Sequence, residues 1–137
     1  MMGKNIKLLL SICLVLVALV GCAASKRIQG TWRIQDAENK TGQIKLTRNK
    51  LTIDIGNSKK SYSFKQNAIG TKNGTTYYGL TLDNQSLSII FPEKNKNKAI
   101  FMQVDSTDDY LKGKMIFAMN KTKKPNYRYY VNRYLNQ

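Results

Sequence analysis

Apolar side chains recur at every second position along most of this chain, and the runs are cut by short clusters of Asn, Asp, Gly and Lys. Successive side chains of a strand point to opposite faces, so a period of two gives a ribbon with one apolar and one polar face. A helix of the same sequence would scatter its apolar groups around the whole cylinder. The pattern therefore selects antiparallel β structure.

The runs can be placed. Gly30 to Ile34 forms a first strand around Trp32, and Ile44 and Leu46 alternate with polar neighbours before Arg48-Asn49-Lys50 turns the chain. Leu51, Ile53 and Ile55 follow, up to Gly56-Asn57, and Tyr62 and Phe64 open a strand that extends to Ile69. Asn73-Gly74 is the strongest hairpin signal, because both residues accept the positive φ of a type I′ turn. Tyr78, Leu80 and Leu82 share a face before Asp83-Asn84, and Leu87, Ile89 and Phe91 share the next, ending at Pro92. After the polar loop from Glu93 to Lys98, the residues Ile100, Met102 and Val104 resume the alternation. After Asp105 to Asp109, Met115, Phe117 and Met119 form the last strand.

About eight strands result. The period then changes. Tyr127, Tyr130, Val131, Tyr134 and Leu135 form one stripe at helical spacing, which predicts a helix over 125–135 with Pro125 in its first turn. Residues 28–137 thus read as one mainly-β domain, an antiparallel up-and-down barrel with one C-terminal helix.

Residues 1–21 lie outside this pattern. Lys4 and Lys7 precede an apolar run from Leu8 to Val20, too short for the ~20 residues that span a bilayer and fitting a secretory signal peptide that is cleaved. Of two cysteines, Cys13 lies inside the run and Cys22 just after it, and the chain has no histidine. The exported domain then holds no disulfide and no thiolate chemistry, and it lacks the commonest general base and metal ligand. Removing Lys4 and Lys7 with the leader leaves +13 of the chain's formal +15. Such a charge suits anionic partners outside the cell, namely lipid head groups, envelope polymers or extracellular nucleic acid, although a charge spread so evenly more often serves solubility and membrane adhesion than a specific site.

Leu19-Val20-Gly21-Cys22 resembles the lipobox of bacterial lipoproteins. That resemblance implies cleavage between Gly21 and Cys22 and a diacylglyceryl group, with palmitate-type chains, on the Cys22 thiol. Two acyl chains hold firmly where one holds marginally, at ~0.8 kcal/mol per buried CH₂. The domain would then sit on the extracytoplasmic face of the cell membrane, with residues 22–27 as a lipidated tether.

Gly30-Thr31-Trp32 resembles the Gly-x-Trp signature of calycins, the lipocalin-like barrels. The chain as a whole is similar to small calycin-like lipoproteins of low-GC Gram-positive bacteria. The resemblance implies that Trp32 plugs one end of a barrel and that a basic residue late in the barrel packs across its ring. No arginine lies between Arg48 and Arg128, so Lys112 or Lys114 is expected in that place.

Few residues suggest chemistry. Asp105, Asp108 and Asp109 form an acidic loop that would offer oxygen ligands to Ca²⁺, but the spacing is not that of an EF-hand, and local backbone bonding by Asp and Ser is the expected role. Tyr127-Arg128-Tyr129-Tyr130 and Arg133-Tyr134 interleave aromatic and basic groups, as nucleic-acid binders do, yet their helical spacing is that of packing and nucleic acid is not the expected partner. No phosphate loop, zinc motif or nucleophile elbow is present. The expectation is a non-enzymatic module, without cofactor or metal, that binds an apolar or amphipathic ligand or an anionic envelope component. The alternative is an interaction or immunity lipoprotein that binds a peptide or another envelope protein.

Overall fold

The computed structural model describes residues 23–135, and the expected signal peptide, its cleavage after Gly21 and the lipidation of Cys22 fall outside that range. Nine strands follow one another in an antiparallel meander: β1 (Gly30–Gln35), β2 (Thr41–Leu46), β3 (Lys50–Ile55), β4 (Ser58–Ser63), β5 (Lys65–Lys72), β6 (Thr75–Leu82), β7 (Gln85–Phe91), β8 (Lys98–Val104) and β9 (Gly113–Asn120). They form a single sheet in the order β4-β3-β2-β1-β9-β8-β7-β6-β5. The first strand pairs with the last through Arg33↔Asn120, Ile34↔Met119 and Gln35↔Ala118.

Two expectations change. The run through Tyr62 and Ile69 is two strands rather than one, because Phe64 breaks the ladder between β4, which pairs with β3, and β5, which pairs with β6. The sheet is also not closed: β4 and β5 are its two edges and are not hydrogen-bonded to each other. Phe64 alone joins these edges, so the sheet must curl back on itself. Its ring is buried, and its N–H donates to the Asn49 carbonyl at 3.0 Å.

The turns obey local sequence. Asn73 and Gly74 have φ of 53° and 78°, and Asp83 and Asn84 have φ of 48° and 65°, the positive pairs that two-residue hairpins require. The inner face collects Trp32, Ile34, Ile44, Leu46, Leu51 and their facing residues Leu80, Ile89 and Phe101 into the main core. Here the alternation predicts one strand wrongly. Ala99 and Phe101 point inward on β8, while Ile100 and Met102 belong to a second apolar cluster on the other face, with Ile90, Met115 and Ala118. A register shift between Phe101 and Met102 accompanies this, so Phe117 and Met119 face inward but Met115 faces out.

The second cluster needs a cover, and the C-terminus supplies it. Helix α1 (Tyr127–Tyr130) is a single turn that continues into a π-helical turn, Val131–Leu135. Asn126 caps it, its side chain accepting from the Tyr129 N–H at 2.8 Å, so Pro125 precedes the helix rather than opening it. The stripe Tyr127, Tyr130, Val131, Tyr134 and Leu135 packs on the outer cluster as its spacing implies. The Tyr130 hydroxyl donates to the Met119 carbonyl at 3.0 Å and the Tyr127 hydroxyl to that of Met115 at 2.7 Å. The loop after β8 covers the neighbouring outer surface, where the Tyr110 ring stacks on Tyr77 at 5.5 Å. It lies so close over Gly79 that a Cβ there would come within 2.5 Å of the ring.

Candidate functional site

Trp32 lies within the main core. It is fully buried, its indole N–H donates to the Ile28 carbonyl at 2.9 Å, and its ring meets Phe91 at 5.9 Å. Gly30 has a φ of 119°, which L side chains rarely adopt, and this gives the glycine two residues before the tryptophan a backbone role. A lysine does lie over the indole, but it is Lys121, with its ammonium 4.8 Å from the ring centroid, rather than Lys112 or Lys114. Lys121 takes that place because the chain turns sharply after β9, where Asn120 accepts from the Thr122 and Lys123 N–H groups. Burial against the ring lowers the Lys121 pKa. Arg27 lies over Phe91 at 4.2 Å.

Ordered contacts begin before Ile28. The Ala24 N–H donates to the Arg48 carbonyl at 2.7 Å, and Ser25 exchanges two hydrogen bonds with the Gln66 side chain, at 2.8 and 2.9 Å. Residues that sequence alone reads as tether are thus bound to the β2–β3 turn and to β5.

Away from Trp32 the core is not filled. A pocket of about 320 Å³ lies between the inner faces of β3, β4 and β6–β9. Leu51, Ile53, Leu87, Phe101, Ile116 and Phe117 line it, and Asp83 and Gln85 of the β6–β7 turn supply polar groups. Ile53, Tyr62, Leu82 and Ile116 are only partly buried, which leaves apolar surface at its mouth. A site of this kind holds an apolar group by excluding water and orients it with one or two polar contacts. A larger trough of about 790 Å³ runs along the seam between β4 and β5, where Arg48, Lys65, Asp83 and Asn84 bring charged and polar groups beside Phe64.

The acidic loop folds on itself. The Asp109 carboxylate accepts from the Leu111 N–H at 3.0 Å, Ser106 Oγ accepts from the Asp108 N–H at 3.2 Å, and Asp109 pairs with Lys72 at 3.8 Å. Asp105 and Asp108 are exposed. Among the described residues no three His, Cys, Asp or Glu side chains converge as a metal site. Sequence reasoning did not anticipate a clasp that joins the C-terminus to the β7–β8 loop. The Tyr134 hydroxyl donates to Glu93, and Lys98 reaches Glu93 at 3.6 Å. The Tyr134 bond, with Lys98 and Arg133 nearby, holds the Glu93 carboxyl below its usual value, while burial and the carboxylate push the Tyr134 phenol up.

No family model matches the chain, and no curated protein or solved structure shows significant similarity to it. The geometry of the molecule therefore carries the functional reading. No helix among the described residues is long and apolar enough to cross a membrane.

Proposed function

We propose that this chain is a lipoprotein, anchored through Cys22 to the extracytoplasmic face of the membrane, that binds a small apolar or amphipathic ligand without transforming it. In this reading β4 and β5 act as one bent stave about Phe64, and the sheet is a calycin-like barrel plugged by Trp32 at one end. The observation that carries the binding function is the apolar pocket at the unfilled end of the core. Its volume, about 320 Å³, lies at the small end of ligand sites, which range over ~300–1,000 Å³. A short or branched hydrocarbon group fits such a volume better than a whole lipid.

The test is fluorescence titration of the chain from Ala23 onward with phenylnaphthylamine. Saturable enhancement at one site per chain, reversed by a medium-chain fatty acid, is the expected result. Ile116→Trp, which fills the pocket, should remove the signal while the protein stays folded. Absence of saturable binding by the wild-type domain refutes the ligand site. The anchor is tested separately: Cys22→Ala should leave uncleaved precursor or release the protein to the medium, and normal cleavage with membrane retention would refute it.

A further inference from the structure

The cations of this chain are scattered in sequence, but the fold gathers one group of them. The β7–β8 loop carries Lys94 and Lys96, and the turn after β9 carries Lys121, Lys123 and Lys124. These two segments are neighbours, because β8 and β9 pair from Lys98↔Asn120 onward and the Lys121 N–H donates to the Asn97 carbonyl at 2.9 Å. Arg27 joins them, since Phe91, over which it lies, packs against Trp32, over which Lys121 lies. Glu93 is the acid of the loop, and Lys98 and Tyr134 already engage it. Lys94, Lys96, Lys123 and Lys124 are exposed, and among the described residues none of the four is in an ion pair.

The chain from Ala24 to Ile28 is fixed at this same end. Its hydrogen bonds to Arg48 and Gln66 begin two residues after Cys22, and Ile28 accepts from Trp32. We propose that the Trp32 end of the domain is a docking face for anionic phospholipid, which holds the molecule against the bilayer that anchors it and turns the apolar pocket outward. The proposal rests on the anchoring through Cys22. Two features favour a bilayer over a soluble polyanion: the basic loops and the segment leading to the anchor share one end, and a short, bound segment leaves the domain little freedom to turn. Basic groups within a Debye length of an anionic leaflet are attracted to it, and salt weakens that attraction.

Residues 23–137 contain no cysteine, so single-cysteine variants report orientation in the full-length protein. Lys96→Cys places a thiol in the patch, and Glu38→Cys places one in the exposed turn at the other end of the β1–β2 hairpin, each in a Cys13→Ala background. Isolated membranes are treated with an impermeant maleimide. In 0.01 M salt, where the Debye length is ~30 Å, Lys96→Cys should react roughly tenfold more slowly than Glu38→Cys. In 1 M salt, where it is ~3 Å, the two rates should converge. Adding Lys94→Glu, Lys123→Glu and Lys124→Glu should abolish the protection but leave the protein in the membrane fraction. Equal labelling of the two sites in membrane-bound protein at low salt overturns the docking face and leaves the anchor standing. Protection in whole cells that vanishes in isolated membranes also overturns it, in favour of a wall polymer. Absence of the protein from the membrane fraction overturns the anchor, and the docking face with it.

Discussion

Trp32 does its work through surroundings that a three-residue signature cannot specify. Its ring is buried against Phe91 beneath Lys121, and its N–H is satisfied by a carbonyl four residues earlier. Truncating a core tryptophan costs about 3–5 kcal/mol, a large part of the ~5–15 kcal/mol that holds a domain together. Trp32→Ala should therefore lower the melting temperature sharply, Trp32→Phe should lose less, and native emission should be blue-shifted from that of free indole. Water-like emission with a stable Trp32→Ala variant would refute the plug.

Glu93 gives a second prediction at the same scale. Its pKa is lowered in the folded state, first by the Tyr134 hydrogen bond and further by Lys98. The ionised carboxylate therefore stabilises the fold above the ordinary carboxylate value of ~4.3, and this is lost as pH falls through the lowered folded value. The Tyr134 phenol, raised in the fold, contributes in the opposite sense, and its part is lost as pH rises past ~10. Acid titration of the melting temperature should show a steeper fall below pH ~4.3 in wild type than in Tyr134→Phe. Identical acid limbs would show that the clasp adds nothing.

The elements were legible where one face alone is apolar. Strands β1, β2 and β3 follow the alternation read from Trp32, Ile44 and Leu51, because their inward residues are the apolar ones, and β6 and β7 keep it at Leu80 and Ile89 although Tyr77 and Ile90 pack on the outer cluster. Strand β8 reads Ala-Ile-Phe-Met and is buried on both faces, so its sequence holds no phase, and the packing of Phe101 inward and Met102 outward decides it. The C-terminal stripe was legible for the same reason as the strands, but its length as a helix was not. Four α-helical residues cannot stand alone in water, so this segment exists because the outer cluster is there to be covered. Removing a buried tyrosine should cost several kcal/mol, by analogy with the ~3–5 kcal/mol of other large aromatic side chains, together with the hydrogen bond its hydroxyl donates to Met119. Tyr130→Ala should therefore unfold at much lower denaturant and expose apolar surface to dye, whereas Tyr129→Ala, at a ring 54% exposed, should match wild type. Equal midpoints for the two variants would refute the cover.

At the scale of the molecule, charge dominates. A net +13 over residues 23–137 favours the unfolded chain by self-repulsion, and clustering at the Trp32 end sharpens this. Raising salt from 0.01 to 0.15 M shortens the Debye length from ~30 to ~8 Å and should raise the melting temperature by a few degrees. The increase should be smaller for the double variant Lys94→Glu/Lys96→Glu. A melting temperature that ignores salt would mean that the basic groups are too far apart to interact.

By itself the sequence determined the antiparallel meander, the positions of the turns and the place of the tryptophan. These follow from interactions between residues close in the chain: the period of side chains along a strand, and the φ that Asn and Gly tolerate. The open seam at Phe64, the apolar pocket and the basic end depend on residues far apart in sequence. Arg27, Lys96 and Lys121 come to one end of the sheet because β1 pairs with β9 and β9 with β8. The pocket exists because the curled sheet brings Leu51 and Phe117, 66 positions apart, into one lining. Alternation states which face a side chain takes, and only the curvature of the whole sheet states what that face encloses.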